Sequence, residues 1–195
     1  MAAKLRRGFK KEAEGLAVEL RLELGLAEHA PIDVFALAEH LCIPTVPLSQ
    51  MSEFAAAESV THFRDIEPAA FSGITIHNGF QRLILFNDAH ADVRLNSTVA
   101  HELSHALLGH SASPLTNDLG QRNRDAEIEM EADWLAGAIL VPMPAAKKIA
   151  FGNATLAEAA GRYAVSESML AYRLRVTGAL TIAQRYKTRA ADRLP

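Results

Sequence analysis

Residues 98–110, TVAHELSHALLGH, place His101, Glu102 and His105 in the order His-Glu-x-x-His. On a helix, residues four apart share a face about one turn apart, so both imidazoles can reach a single ion. Glu102 lies about 100° further round and stands beside such an ion rather than on it. From there its carboxylate can take a proton from water. The histidines lie roughly opposite the apolar arc of Leu95, Val99, Leu103 and Ala106, so a helix that buries the arc turns them to a cleft. A plain amphipathic helix carries the same pattern, and the deciding residues must lie elsewhere in the chain.

A catalytic zinc site takes three protein ligands and keeps a fourth position open. One extended form of the motif adds a glycine and then a third histidine. The corresponding positions hold Leu108 and Ser111, and His110 is one residue out of register. The next helical stretch, AEIEMEADWLAGAILVP, offers Glu127, Glu129, Glu131 and Asp133. At about 100° per residue, Glu131 falls in the middle of the arc of Ile128, Met130, Trp134, Leu135, Ala138 and Ile139, whereas Glu129 and Asp133 fall outside it.

A carboxylate on an apolar face is costly to bury without a cation, and a divalent ion between two imidazoles supplies one. Glu131 is therefore the expected third ligand, with Glu127 one turn earlier as the alternative, unless a tilt of the helix takes Glu131 to solvent. Trp134 reads as core. His29, His40, His62, His77 and His90 are scattered without ligand spacing.

The elements that must position these residues are mostly helical. A first helix is predicted from about residue 9 to 25 through Leu16, Val18, Leu20 and Leu22, with Gly25 as its stop. A second is predicted to open at Pro31 and Asp33 and run to Cys42. IPTVPL and SVTHFRD read as short extended pieces, the first with prolines that suit an edge. FSGITIHNGFQRLILFN reads as a β-hairpin turning at Asn78-Gly79. The polar run SASPLTNDLGQRNRD separates the two motif helices.

The net charge of -3 argues against a protein that is basic throughout, so any contact with nucleic acid requires a local patch. Both ends are basic: Lys4, Arg6, Arg7, Lys10 and Lys11 at the start, and seven Lys and Arg after residue 161 against Glu167 and Asp192. A single cysteine, Cys42, excludes an intramolecular disulfide and reads as a buried small apolar residue. With no signal-peptide run and no span near ~20 apolar residues, a soluble cytoplasmic protein is expected.

Taken together, RLNSTVAHELSHALLGH and EMEADWLAGAILVP resemble the metal helix and the acidic helix of the ImmA/IrrE family of zinc-dependent metallopeptidases, bacterial proteins that relieve repression by cutting a helix-turn-helix repressor. PIDVFALAEHLCI and the hairpin are similar to the family's upstream elements. The resemblance implies zinc ligands His101, His105 and Glu131, with Glu102 as general base. Asp133 stands where the family more often has Asn, and Ser104 where Gly is commoner. Two imidazoles and a carboxylate also suit manganese or iron.

The expected fold is α+β and zincin-like, with a small antiparallel sheet packed on helices in residues 1–145 and a helix-turn-helix-like helical segment in residues 146–195. In that segment Ala160 is read at the helix crossing, Ala164 at the turn, Val165 as buried, Ser166 as N-cap and Leu170 on the inner face. Arg173, Arg175 and the basic tail can be read as phosphate contacts, but support of the peptidase body or protein contact is favoured over DNA. Leu83 to Phe86 is expected to border the cleft and pair with an extended substrate. The competing class is a non-catalytic regulator that keeps the fold and acts by binding DNA or a partner protein.

Overall fold

Phe9, Ala13, Ala17 and Leu20 recur at helical spacing and are buried, forming the inner face of α1 (Phe9–Glu23). The stripe expected through Leu16, Val18 and Leu22 is displaced, and Leu22 is 58% exposed. Residues spaced by two cannot share one helix face, so the helix buries the set spaced by three and four instead. Gly25, at φ +70, ends the helix as expected.

Asp33 caps α2 (Val34–His40), its carboxylate accepting from the amides of Phe35 and Ala36. Cys42 lies beyond the helix at φ +55 and is exposed, not buried. The chain reverses there in the left-handed region, which turns the side chain outward.

The computed structural model describes residues 4–53, 55–79, 81–110 and 126–191. Within them the architecture is α+β, nine α-helices around one three-stranded sheet. β1 (Thr45–Pro47) runs parallel to β3 (Gln81–Phe86), and β2 (Gly73–Asn78) pairs antiparallel with β3 on its other side. β1 is an edge, as its prolines require. The sheet is therefore mixed rather than purely antiparallel.

Asn78 pairs with Gln81 as the last residue of β2, so the turn is not centred on Asn78-Gly79. Gly79 still supplies the positive φ, at +60. The SVTHFRD stretch is helical instead of extended: α3 (Ala57–Thr61) continues into a π-helical turn, His62–Ile66. Buried Asn87 pins the segment between this turn and β2, donating through Nδ2 to the carbonyls of Phe63 and Phe71.

α4 (Asp92–Leu107) packs beneath β2 and β3 and, on another side, against α5 (Ala126–Leu140), which also packs on α1. The arc of Val99, Leu103 and Ala106 faces the core as expected, with Leu95 partly buried beside it. α6 (Met143–Phe151), α7 (Leu156–Arg162), α8 (Glu167–Val176) and α9 (Ala179–Ala191) complete the chain. The division expected between residues 145 and 146 falls inside α6, where Ala145 and Ala146 are both buried.

Two buried arginines close the C-terminal end of α5. Arg21 donates to the carbonyls of Ala17, Ala30 and Ile139, and burial pulls its guanidinium down to about 10. Arg173 donates through Nε to the Val141 carbonyl and pairs with Glu14, whose other oxygen accepts from the Met143 amide. No single helix among the described residues is long and apolar enough to cross a membrane.

Candidate metal centre

α4 and α5 bring together three side chains, His101, His105 and Glu129, whose atoms could hold a metal ion. The Nε2 atoms of His101 and His105 lie 3.0 Å apart. One Glu129 oxygen lies 3.7 Å from His101 Nε2 and the other 3.5 Å from His105 Nε2. A tetrahedral ion bonded at ~2.0–2.1 Å needs ligand atoms about 3.3 Å apart. The observed separations of 3.0, 3.5 and 3.7 Å bracket that value. Donor set and spacing thus fit a divalent metal, and all three side chains are only partly exposed, at 23%, 18% and 27%.

The groups behind the ligands differ. Asp133 accepts from His101 Nδ1 at 2.9 Å, which leaves Nε2 as the lone-pair nitrogen. Burial works to lower the His101 pKa, but the hydrogen bond to Asp133 and the charges of Glu102, Asp133 and Glu129 outweigh it and hold it above the ordinary value. His105 Nδ1 faces His110 Nδ1 at 3.0 Å. Burial holds the His110 pKa below the ordinary value, and the charge of Glu131 only partly offsets it.

Glu102 lies close enough to His101 for its charge to act on that imidazole. Its Oε2 accepts from the Thr75 hydroxyl at 2.7 Å, which ties the motif helix to β2. That approach depends on Gly73. A Cβ there would lie 2.5 Å from Thr98 Cγ2 and 3.2 Å from the Leu85 carbonyl oxygen.

Glu131 is not in the cluster. Its carboxylate lies 3.2 Å from Arg6 Nε and 3.7 Å from His110 Nε2. A partly buried carboxylate on this face does need a cation, but a guanidinium from the segment before α1 provides it. Glu127, the alternative, is exposed in the first turn of α5. Glu129 and Asp133 are four residues apart on one helix face, opposite that of Glu131, and both reach His101. That i,i+4 spacing mirrors His101 and His105 and is the signal that identifies the face meeting α4. The apolar arc pointed elsewhere because α5 is buried on nearly every side from Trp134 to Leu140.

The expectation that Leu83 to Phe86 borders the cleft also changes. β3 is the central strand, hydrogen-bonded to β1 and β2, so it has no edge to offer. The strand beside Glu102 is β2, which is an edge. Trp134 is core, with 7% exposure. His29, His40, His62 and His90 contact Lys148, Glu23, Glu67 and the Pro68 carbonyl instead of the cluster. His77 projects from the same face of β2 as Thr75, its Nδ1 buried and without a hydrogen-bond partner among the described residues. Ser111 and the polar run 111–125 lie outside the described residues.

A comparison with protein families finds a match to the IrrE N-terminal-like domain, peptidase M78, over residues 54–175, a span that includes every residue of the cluster. No curated protein matches the chain.

Proposed function

The chain belongs to the IrrE N-terminal-like domain family of peptidases, and on that premise we propose that it is a zinc-dependent endopeptidase that cuts a helix-turn-helix repressor and so relieves repression. The observation that carries the peptidase reading is the convergence of His101, His105 and Glu129 with Glu102 at their side. In this reading the first three hold the metal, with Glu129 in the place that sequence reasoning assigns to Glu131. A divalent metal held there supplies an acidified water and a polarised carbonyl.

Glu102 takes the proton of the attacking water and delivers it to the leaving amine. Thr75 occupies Glu102 Oε2 and steadies the carboxylate, leaving Oε1 for the proton. Asp133 sets the tautomer of His101. β2 adjoins Glu102 and is an edge strand, so an extended substrate segment can add to it through main-chain hydrogen bonds.

The repressor as substrate and the zincin-like character of the α+β body rest on the family resemblance, and a cytoplasmic setting on the reading of the sequence. For α7 and α8 we favour support of the peptidase body. Ala164 takes φ +48 between them, Ser166 caps α8, and Val165 and Leu170 are buried, an arrangement compatible with a helix-turn-helix-like pair. Arg173, however, is fully buried against Glu14 and is unavailable to a phosphate.

The test is incubation of the zinc-loaded protein with its cognate repressor, with fragment analysis and repressor–DNA binding as readouts. Wild type should produce fragments and release DNA, and Glu102→Gln should cleave about 10²–10⁴-fold more slowly. Release of DNA by both proteins without fragments would replace proteolysis with a binding mechanism.

A further inference from the structure

We propose that His110, Glu131 and Arg6 form a relay that orients His105 for the metal, so that the N-terminal segment of the chain tunes the affinity of the site. This rests on the reading of His105 as a metal ligand.

The relay begins with local sequence. α4 ends at Leu107 and is followed by Leu108-Gly109-His110, and Gly109 at φ +65 reverses the chain. The Gly109 amide bonds the Ala106 carbonyl and the His110 amide bonds that of His105, the paired closure that a left-handed glycine makes at a helix end. His110 is thereby folded back over the last turn of α4, and its side chain is only 10% exposed. A Cβ at position 109 would meet nothing within 4 Å, so the glycine serves the turn and not a close contact.

The proton positions are then fixed in order. When His105 binds a metal through Nε2, its neutral ring must carry the proton on Nδ1. Nδ1 lies 3.0 Å from His110 Nδ1, so His110 must accept there and carry its own proton on Nε2. That nitrogen faces Glu131 Oε2 at 3.7 Å. The other Glu131 oxygen accepts from Arg6 Nε at 3.2 Å.

Arg6 is itself held from two sides. Its Nη2 donates to Glu12 at 2.6 Å, and its guanidinium lies 4.9 Å from the Phe9 ring centroid, on a ring that is fully buried. On the Nδ1 side His101 meets the Asp133 carboxylate, whereas the Nδ1 of His105 meets a second imidazole, which faces Glu131 and, beyond it, a cation from a distant part of the chain.

The experiment measures zinc affinity by competition with a chromophoric chelator, and the visible spectrum of the cobalt-substituted protein, for wild type, His110→Phe, His110→Asn, Glu131→Gln and Arg6→Met. Thermal unfolding of each metal-free protein separates misfolding from loss of positioning. His110→Phe removes the acceptor and should weaken zinc binding about 10–100-fold, with a changed cobalt spectrum. His110→Asn keeps an acceptor and should recover part of that loss. Glu131→Gln and Arg6→Met should weaken binding by smaller factors, and Arg6→Met should add nothing in the His110→Phe background.

Zinc bound equally by wild type and all variants would overturn the relay and leave the peptidase reading intact. Additive losses from Arg6→Met and His110→Phe would overturn it as a connected chain. A folded wild type that takes up no zinc would overturn both the relay and the metal site beneath it.

Discussion

Glu129 and Glu131 are separated by one methionine and have opposite surroundings. The first lies within 4 Å of both motif imidazoles, and the second lies between Arg6 and His110. Replacing each by alanine should separate the proposed ligand from the proposed supporting group. Elemental analysis after zinc saturation should find Glu129→Ala with little metal and Glu131→Ala with close to the wild-type amount, held more weakly. The reverse result would return the third ligand to Glu131 and undo the assignment made from the geometry. His101, Glu102 and His105 were legible in the chain because their relation is local: a helix of 3.6 residues per turn puts them together whatever surrounds it. The choice between two glutamates on one helix is not local.

Between elements, the contact that matters most to the chemistry is the close approach of β2 to α4 at Gly73. A Cβ at that position would lie 2.5 Å from Thr98 Cγ2. Gly73→Ala should therefore push the strand off the helix, lengthen the Thr75–Glu102 hydrogen bond and lower kcat/KM, at a stability cost of about 1–3 kcal/mol. Thr98→Ser removes the clashing methyl group, and the double variant should regain most of both losses, measured by peptidase kinetics and thermal unfolding. Activity that falls equally in the single and the double variant would show that the spacing of strand and helix is not the cause. The hairpin itself was readable from its two apolar runs and its turn glycine. Its register, and the central place of β3 that denies Leu83–Phe86 an edge, came from β1, a strand nearly forty residues upstream.

Across the whole molecule, the C-terminal helices are joined to the N-terminal one by charge inside the core. Arg173 is fully buried, pairs with Glu14 of α1 and donates to the Val141 carbonyl just beyond α5. Removing one partner of such a pair costs about 3–5 kcal/mol, because the other charge stays buried alone. Arg173→Met should lose that much in urea unfolding, a large share of the ~5–15 kcal/mol typical of a domain. Pairing the change with Glu14→Gln should recover part of the loss. A loss below about 1 kcal/mol would mean that α8 is attached by apolar packing and the ion pair is incidental. In sequence the same arginine reads as a candidate phosphate contact, since a count of charges carries no information about which of them are buried.

The sequence by itself determined the motif helix, the pair of imidazoles with their neighbouring carboxylate and the hairpin, which depend on residues close together in the chain, and the family, which depends on motifs read along it. Only the tertiary structure decided which acidic residue completes the cluster, which strand lies beside Glu102 and which cation satisfies Glu131. The reason is rotational. Residues two apart on a helix point about 200° from each other, so the angle at which α5 meets α4 selects Glu129. The cation that stabilises Glu131 comes from Arg6, which α1 brings to α5 through the burial of Phe9, Ala13 and Ala17.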